Sequence, residues 1–144
     1  MRVLFLFGPN LGALGRRDPA VYGSQSLDDI RTDVEATASR LGHQIGWVQA
    51  DAEGDLVAAL LGAPAGGHGA VVLNPGALSH YSYALRDAVE ACGLPVIEVH
   101  MSNIYAREEF RRRSVVSAAC RAVIAGLGAG GYHLALEALP WISS

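Results

Sequence analysis

The sequence predicts an α/β fold in which five parallel strands form one sheet with helices on both faces. Short apolar runs alternate with helical patterns along the 144 residues, and this alternation is typical of right-handed βαβ units. Hydrophobic residues make up 51% of the chain and charged residues 17%, which indicates a globular core. We therefore expect one domain over residues 1–144, a flavodoxin-like three-layer sandwich.

Five apolar runs are predicted to be the strands. The first starts at Arg2 and ends where Gly8-Pro9 breaks the run. The fourth opens at Pro95 and has the apolar composition of a central parallel strand. The predicted strands cover residues 2–7, 43–49, 70–73, 95–100 and 121–126.

Capping residues mark the predicted helices. Ser26 is a favourable N-cap followed by two aspartates in the first turn, and Gly42 ends the same helix. Gly93 closes the helix that precedes the fourth strand, and a last helix ends before Pro140. The predicted helices cover residues 26–41, 56–61, 79–91 and 132–139.

The segment 8–25 shows no helical or strand periodicity. A loop of this length inside a compact domain is usually functional. It carries Asn10, Arg17 and Tyr22, with several glycines that could act as hinges. We expect it to be an active-site loop that serves as a lid.

Composition excludes several classes of protein. The net charge is −3 and no basic face indicates a nucleic-acid partner. No apolar run is long enough to span a membrane, and the run after Met1 is too short for a signal peptide. Cys92 and Cys120 lack metal or redox spacing and are expected to be buried thiols. The expected location is the cytoplasm.

The chain contains no lysine, since all 11 basic residues are arginine. It therefore has no Walker-type phosphate lysine and no lysine to form a Schiff base or hold pyridoxal phosphate. Any chemistry on a carbonyl group must proceed without an imine.

Polar residues interrupt the fourth strand and follow its end. Glu98 and His100 are two positions apart, so their side chains share one face of the strand. A carboxylate that orients a histidine is a common catalytic pairing. Arg107 and Arg111 follow at a spacing that would place both on one face of a helix. This pattern predicts an acid, its partner and an anion clamp; the alternative is a strand that ends in a solvated polar loop.

Further polar residues are expected at the same edge of the sheet, because ligands bind there in open α/β sheets. Each alone is more simply a turn, helix-start or solvated residue, but together they favour one site. A metal site built from His80, Glu98 and His100 lacks supporting ligand spacing. The candidates outside the fourth strand are Asn10, Arg17, Tyr22, Asn74, His80 and Ser102.

Two other features are predicted to be structural. Residues 126–131 match GxGxxG, but the dinucleotide fingerprint needs a further strand with an acidic residue, and the sequence ends first. These glycines more simply provide a tight turn and close helix–sheet packing. His68 is expected to be solvated, and His133 to be a surface or packing residue.

The motifs in order resemble the type II 3-dehydroquinate dehydratase (type II dehydroquinase) family. They cover nearly the whole chain, which makes the resemblance specific. The matching stretches are Gly8-Pro9-Asn10-Leu11, Leu14-Gly15, Pro19-Ala20-Val21-Tyr22-Gly23, Asn74-Pro75-Gly76-Ala77 with His80, Ala84-Leu85-Arg86-Asp87-Ala88, Ile97-Glu98-Val99-His100 with Ser102-Asn103, Ala106-Arg107-Glu108, Phe110-Arg111, Gly126-Leu127-Gly128 and Gly131-Tyr132.

The resemblance implies a flavodoxin-like lyase that eliminates water from 3-dehydroquinate through an enolate. This shikimate-pathway reaction gives 3-dehydroshikimate, and the type II route needs no imine, metal or cofactor. The resemblance also implies a homo-oligomer of trimers that form a dodecamer.

The resemblance further implies roles for individual residues. Tyr22 would be the base, assisted by Arg17 with support from Arg107, and Asn10 would help to stabilise the enolate. His100 would protonate the departing hydroxyl group, oriented by Glu98. The implied substrate-binding residues are Asn74, His80, Ser102, Arg107 and Arg111, with Asp87 reaching the site of a neighbouring subunit.

Five positions depart from the family pattern: Phe7, Tyr81, Tyr105, Arg113 and Val115. They leave two alternatives open. One is a paralogue that dehydrates a related cyclic hydroxy-acid, and the other is a non-catalytic flavodoxin-like module that binds an anion or nucleotide.

Overall fold

The computed structural model describes residues 1–143 and contains one parallel sheet of five strands in the order β2-β1-β3-β4-β5. This is the strand order of a flavodoxin-like doubly wound sheet, which confirms the predicted fold class. The chain reverses its direction of winding between β1 and β3. The strands are β1 Arg2–Phe7, β2 Gln44–Gln49, β3 Ala70–Asn74, β4 Val96–His100 and β5 Ala122–Ala125.

Five helices accompany the sheet within the described residues. Helix α2 begins with the predicted cap: the Ser26 hydroxyl accepts from the Asp29 N–H at 3.1 Å, and the Asp29 carboxylate accepts from the Ser26 N–H at 3.0 Å. The reciprocal bonds satisfy two donors that the helix itself leaves free. The helices are α1 Pro19–Tyr22, α2 Leu27–Arg40, α3 Glu53–Gly62, α4 Tyr83–Cys92 and α5 Gly130–Ile142.

Alternate residues of the strands feed two apolar cores, one on each face of the sheet. Val3, Phe5 and Phe7 of β1 face the core that α2 and α5 cover, whereas Leu4 and Leu6 face α3 and α4. All five side chains are at most 3% exposed. Both faces of β1 are therefore buried, which explains its continuous apolar sequence.

Four predicted helix boundaries were wrong by two residues or more. Helix α3 begins at Glu53 and not at Leu56. Helix α4 begins at Tyr83 because Ser82 provides the N-cap, and residues Gly76–His80 form a separate 3-10 turn. Helix α5 starts at Gly130 and continues through Pro140. The buried side chains of its last turns, such as Leu139, hold the helix on the sheet despite the missing proline N–H.

Arg107 and Arg111, whose spacing would place both on one face of a helix, do not lie on a common helix. Two short 3-10 turns, Ile104–Ala106 and Glu109–Arg111, occupy this region, and the backbone at Arg107 is extended between them. The Asn103 side chain accepts from the Tyr105 N–H at 3.1 Å, which starts a tight turn instead of a long helix.

The glycine-rich stretch before α5 has the predicted structural role. A Cβ atom added at Gly131 would lie 3.0 Å from a methyl group of Val99 and 3.4 Å from one of Ile124. The absence of a side chain therefore lets α5 approach β4 and β5 closely.

The two histidines outside the site contact other parts of the chain. His68 is partly buried, and its Nδ1 donates to the Ala63 carbonyl at 3.1 Å, so its predicted solvation was wrong. His133 Nδ1 lies 2.8 Å from the Thr37 hydroxyl and joins α5 to α2, as expected of a packing residue. No described helix has the length and apolar character needed to cross a membrane.

Candidate active site

A pocket opens beyond the carboxyl ends of β1, β3 and β4. This is where flavodoxin-like sheets bind ligands, because the connections diverge at the point where the winding reverses. A Cβ atom on Gly8 would lie only 2.5 Å from the Pro75 carbonyl oxygen, so glycine permits the close approach of two connecting loops. The pocket is lined by Pro9, Asn10, Leu11, Arg17, Tyr22, Asn74, Gly76, Ala77, His80, His100, Met101, Ser102, Ile104, Arg107 and Arg111.

Two arginines contact the hydroxyl group of Tyr22. Arg17 Nη2 and Arg107 Nη1 each donate to the Tyr22 oxygen at 2.8 Å. The Arg17 guanidinium also lies over the ring, with Cζ 3.9 Å from the ring centroid. Two cationic donors therefore converge on one phenol oxygen.

The loop that supplies Tyr22 contains more regular structure than the sequence indicated. Residues Leu11–Ala13 form a 3-10 turn and α1 ends at Tyr22. The Asp18 carboxylate caps α1 by accepting from the Ala20 N–H at 3.0 Å. Arg107 approaches Tyr22 from the segment after β4, so the phenol joins two distant parts of the chain.

His100 and Glu98 form the predicted pair at the end of β4. His100 Nε2 lies 2.6 Å from Glu98 Oε1, and their exposed fractions are 6% and 0%. Because Nε2 is bonded to the carboxylate, the other edge of the imidazole ring remains available to a ligand in the pocket that His100 lines. Strand alternation places both side chains on one face of β4, as the sequence predicted.

Two serines that the sequence did not reveal complete the surroundings of Glu98. Ser114 Oγ donates to Oε1 at 2.7 Å and Ser117 Oγ donates to Oε2 at 2.5 Å. Burial alone would raise the pKa of Glu98, but the hydrogen bond and charge of His100, with the two hydroxyl groups, hold the pKa below its ordinary value. Glu98 is therefore a carboxylate at neutral pH. No local motif signals serines 16 and 19 positions away.

Asn10 occupies a strained turn at the edge of the pocket. Its φ angle is 68°, a left-handed conformation that asparagine tolerates better than most residues. Its N–H donates to the Asp51 carboxylate at 3.0 Å. Gln49 donates to that carboxylate at 3.0 Å and to the Gly8 carbonyl at 3.2 Å. Residues at the end of β2, which the sequence did not single out, thus hold the first loop.

Asn74 is fixed from both ends of its amide group. Its Nδ2 donates to the buried Tyr132 hydroxyl at 2.8 Å, and its Oδ1 accepts from the Gly76 N–H at 3.1 Å. Burial raises the pKa of Tyr132, which keeps that phenol neutral. Asn74 lines the pocket as predicted, in a single orientation.

Three more predicted residues lie at the pocket. His80 Nδ1 donates to the Arg113 carbonyl at 2.7 Å, which leaves Nε2 as the free ring nitrogen. Arg111 Nε lies 2.6 Å from Glu108 Oε2, so part of its charge is neutralised. Ser102 is half-buried and lines the wall that follows β4.

Asp87 was predicted to reach the site of a neighbouring subunit and not the pocket of its own chain. It is exposed on α4 and does not line the pocket. Within residues 1–143, no three histidine, cysteine, aspartate or glutamate side chains group in a way that could hold a metal ion.

The five departures from the family pattern lie outside the pocket lining. Phe7 is 1% exposed and packs in an aromatic cluster, with its ring centroid 4.4 Å from Trp47 and 5.4 Å from Tyr132. Tyr81 and Tyr105 are 62% and 69% exposed. Phe7 therefore lies in the core, whereas Tyr81 and Tyr105 lie on the outer surface of the chain.

The fold and pocket define a class of protein: a flavodoxin-like α/β enzyme with a cation-supported tyrosine and a carboxylate-paired histidine in one pocket. The family model for class II dehydroquinase matches residues 1–140. The chain belongs to the class II dehydroquinase family.

Named relatives and solved structures agree with this assignment. The 3-dehydroquinate dehydratase of Pelodictyon phaeoclathratiforme is 52% identical over 100% of this chain and 95% of its own. The 3-dehydroquinate dehydratase of Bacillus subtilis is 53% identical over 94% of this chain and 91% of its own. The crystal structure of type II dehydroquinase from Propionibacterium acnes superposes with a TM-score of 0.91 at 44% identity, over 99% of this chain and 95% of its own.

Proposed function

We propose that this protein is a 3-dehydroquinate dehydratase, a hydro-lyase that eliminates water from 3-dehydroquinate to give 3-dehydroshikimate in the shikimate pathway. One observation carries the mechanism. The Tyr22 oxygen receives two guanidinium hydrogen bonds at 2.8 Å in the same pocket that His100 lines, and His100 is bonded to the buried Glu98. A base and an acid are therefore available for one elimination.

The reaction begins with removal of a proton next to the ketone of the substrate. Tyr22 is the base, because Arg17 and Arg107 stabilise its phenolate form. The electron pair of the broken C–H bond moves onto the ketone oxygen and gives an enolate. Asn10, at the pocket edge, helps to stabilise that developing charge.

The second step expels the hydroxyl group. The enolate electrons return to form the conjugated C=C bond as the C–O bond breaks, and His100 donates a proton so that water leaves. Glu98 stabilises the imidazolium that serves as the donor. Solvent then restores the proton to His100 and removes the one that Tyr22 received.

The remaining pocket residues would hold the substrate. Arg111 and the backbone near Ser102 suit the carboxylate, whereas Asn74 and His80 suit the ring hydroxyl groups. Because no lysine is present in the sequence, the route proceeds without an imine, and the proposed route uses no metal or cofactor.

We also propose that the 8–25 segment acts as a lid and that the enzyme works in the cytoplasm. The chains are proposed to assemble as trimers that form a dodecamer, in which exposed Asp87 serves a neighbouring site. Light scattering would measure the number of chains per particle.

Turnover of 3-dehydroquinate by the purified protein tests the function. The conjugated product absorbs ultraviolet light, so its formation is followed directly, with a chelator present. Tyr22→Phe should lower kcat by about 10²- to 10⁴-fold, the usual contribution of general acid–base catalysis, and leave binding of an unreactive carboxylate analogue nearly unchanged. Tyr81→Phe is the matched control, since Tyr81 is exposed outside the pocket. A folded wild-type protein without turnover would refute the function; a fully active Tyr22→Phe would refute the base.

A further inference from the structure

The segment 113–117, here called the serine turn, contacts the carboxylate that is paired with His100. Both of its serine hydroxyl groups donate to Glu98, one to each carboxylate oxygen. With the bond from His100, the carboxylate accepts three hydrogen bonds in a site where Glu98 has no exposed surface. Burial of an unpaired carboxylate is costly, so these donors decide whether Glu98 stays charged.

The hydrogen-bond pattern fixes the direction of the Ser114 proton. Ser114 Oγ accepts from the N–H groups of Val116 and Ser117, each at 3.2 Å. Because its lone pairs are used by these donors, its single proton is directed to Glu98. Ser117 has the shorter contact, 2.5 Å, to the other oxygen.

Packing holds the serine turn in place independently of Glu98. Val115 and Val116 are 7% and 0% exposed and belong to the apolar core on the α3 and α4 side. The Val115 N–H donates to the Ser79 carbonyl at 2.7 Å. The two hydroxyl groups are therefore presented to Glu98 by a rigid element, which is the condition for a preorganised site.

We propose that Ser114 and Ser117 are positioning residues for the elimination. They keep the Glu98 side chain ionised and oriented towards His100, and Glu98 in turn holds the proton-donating imidazole in place. This proposal rests on the role of His100 proposed above. The serines act only through Glu98, since neither lines the pocket.

The expected signature is a change in the pH dependence of turnover. Hydrogen bonds to a carboxylate lower its pKa, so loss of a donor raises it. Because the active form needs ionised Glu98, the acidic limb of kcat moves to higher pH. Ser114→Ala and Ser117→Ala should each shift that limb by about one pH unit, and the double variant should shift it further. KM should change little, because neither serine contacts substrate.

Two control variants separate positioning from general loss of stability. Ser82 is 2% exposed and caps α4 by accepting from the Leu85 N–H at 3.0 Å, without contact to Glu98. Ser82→Ala should lower the melting temperature and leave the pH profile of kcat unchanged. Ser117→Thr keeps a hydroxyl group and should restore the position of the acidic limb.

A second measurement does not depend on activity. Carbon-13 NMR of glutamate carboxyl groups follows the titration of Glu98, with Glu98→Gln used to assign its signal. In the double variant Ser114→Ala/Ser117→Ala, the Glu98 carboxyl signal should titrate at higher pH than in the wild type. A shifted titration without any turnover in the wild type would uphold the contacts and refute the proposed function. Unchanged titration and pH profile in the folded double variant would overturn the positioning role.

Discussion

Replacement of Arg17 by alanine measures how strongly a cation supports the Tyr22 base. Arg17 Nη2 lies 2.8 Å from the phenol oxygen, and Arg107 provides a second donor at the same distance. A hydrogen bond to a charged group is worth about 1.5–3 kcal/mol net, which corresponds to about 10- to 150-fold in rate. We expect Arg17→Ala to lower kcat by this factor, because the remaining Arg107 still favours the phenolate.

A double-mutant cycle tests whether Arg17 acts through Tyr22. In a Tyr22→Phe background the phenol oxygen is absent, so removal of Arg17 should cost much less than in the wild type. Arg16→Ala is the matched control, because Arg16 is exposed, lies outside the pocket lining and carries the same charge. The assay is the ultraviolet absorbance of the conjugated product at saturating 3-dehydroquinate.

Two results would refute this reasoning. If Arg17→Ala lowers kcat by the same factor in both backgrounds, Arg17 acts on the substrate or on another residue. If Arg16→Ala costs as much as Arg17→Ala, the effect comes from net charge and not from the contact at 2.8 Å.

Two further predictions concern stability. The pKa of Glu98 is lower in the folded protein than its ordinary value of 4.5. The Glu98 charge therefore stabilises the fold at pH values above 4.5, and this stabilisation is lost as the pH falls through the pKa of the folded state. The excess unfolding free energy of the wild type over Glu98→Gln, from urea titrations, should therefore shrink below about pH 4.5; a constant difference would contradict this. Gly131→Ala should destabilise the protein by about 1–3 kcal/mol, because the added Cβ would lie 3.0 Å from a methyl group of β4. Gly130→Ala is the control, since a Cβ there meets open space. Equal melting temperatures for the two variants would refute the close-packing argument.

Local sequence patterns were sufficient to predict the strands of the sheet and the start of α2. The run 2–7 is bounded by a glycine and a proline and became β1 with the same limits. The Ser26 cap forms because its partner, Asp29, is three residues away, within reach of sequence reasoning. Residues after the strand ends came together as predicted because parallel strands present their carboxyl ends at one edge.

Non-local contacts explain what the sequence did not reveal. The spacing of Arg107 and Arg111 fits a helix, but the Asn103 side chain starts a 3-10 turn and both arginines reach the pocket from irregular backbone. Ser114 and Ser117 have no pattern of their own, since their role depends on the fold that brings them to Glu98.

The site supports two negative charges with two different kinds of donor. Tyr22 is only half-buried and contacts guanidinium groups, which favour its anion by charge as well as by hydrogen bonds. Glu98 is completely buried and contacts neutral hydroxyl groups, which satisfy its oxygens without adding a positive charge. An arginine in place of a serine would compete with His100 for the carboxylate and weaken the stabilisation of the imidazolium. With neutral donors beside Glu98, His100 is its sole cationic partner among residues 1–143, as a proton donor for the departing hydroxyl group requires.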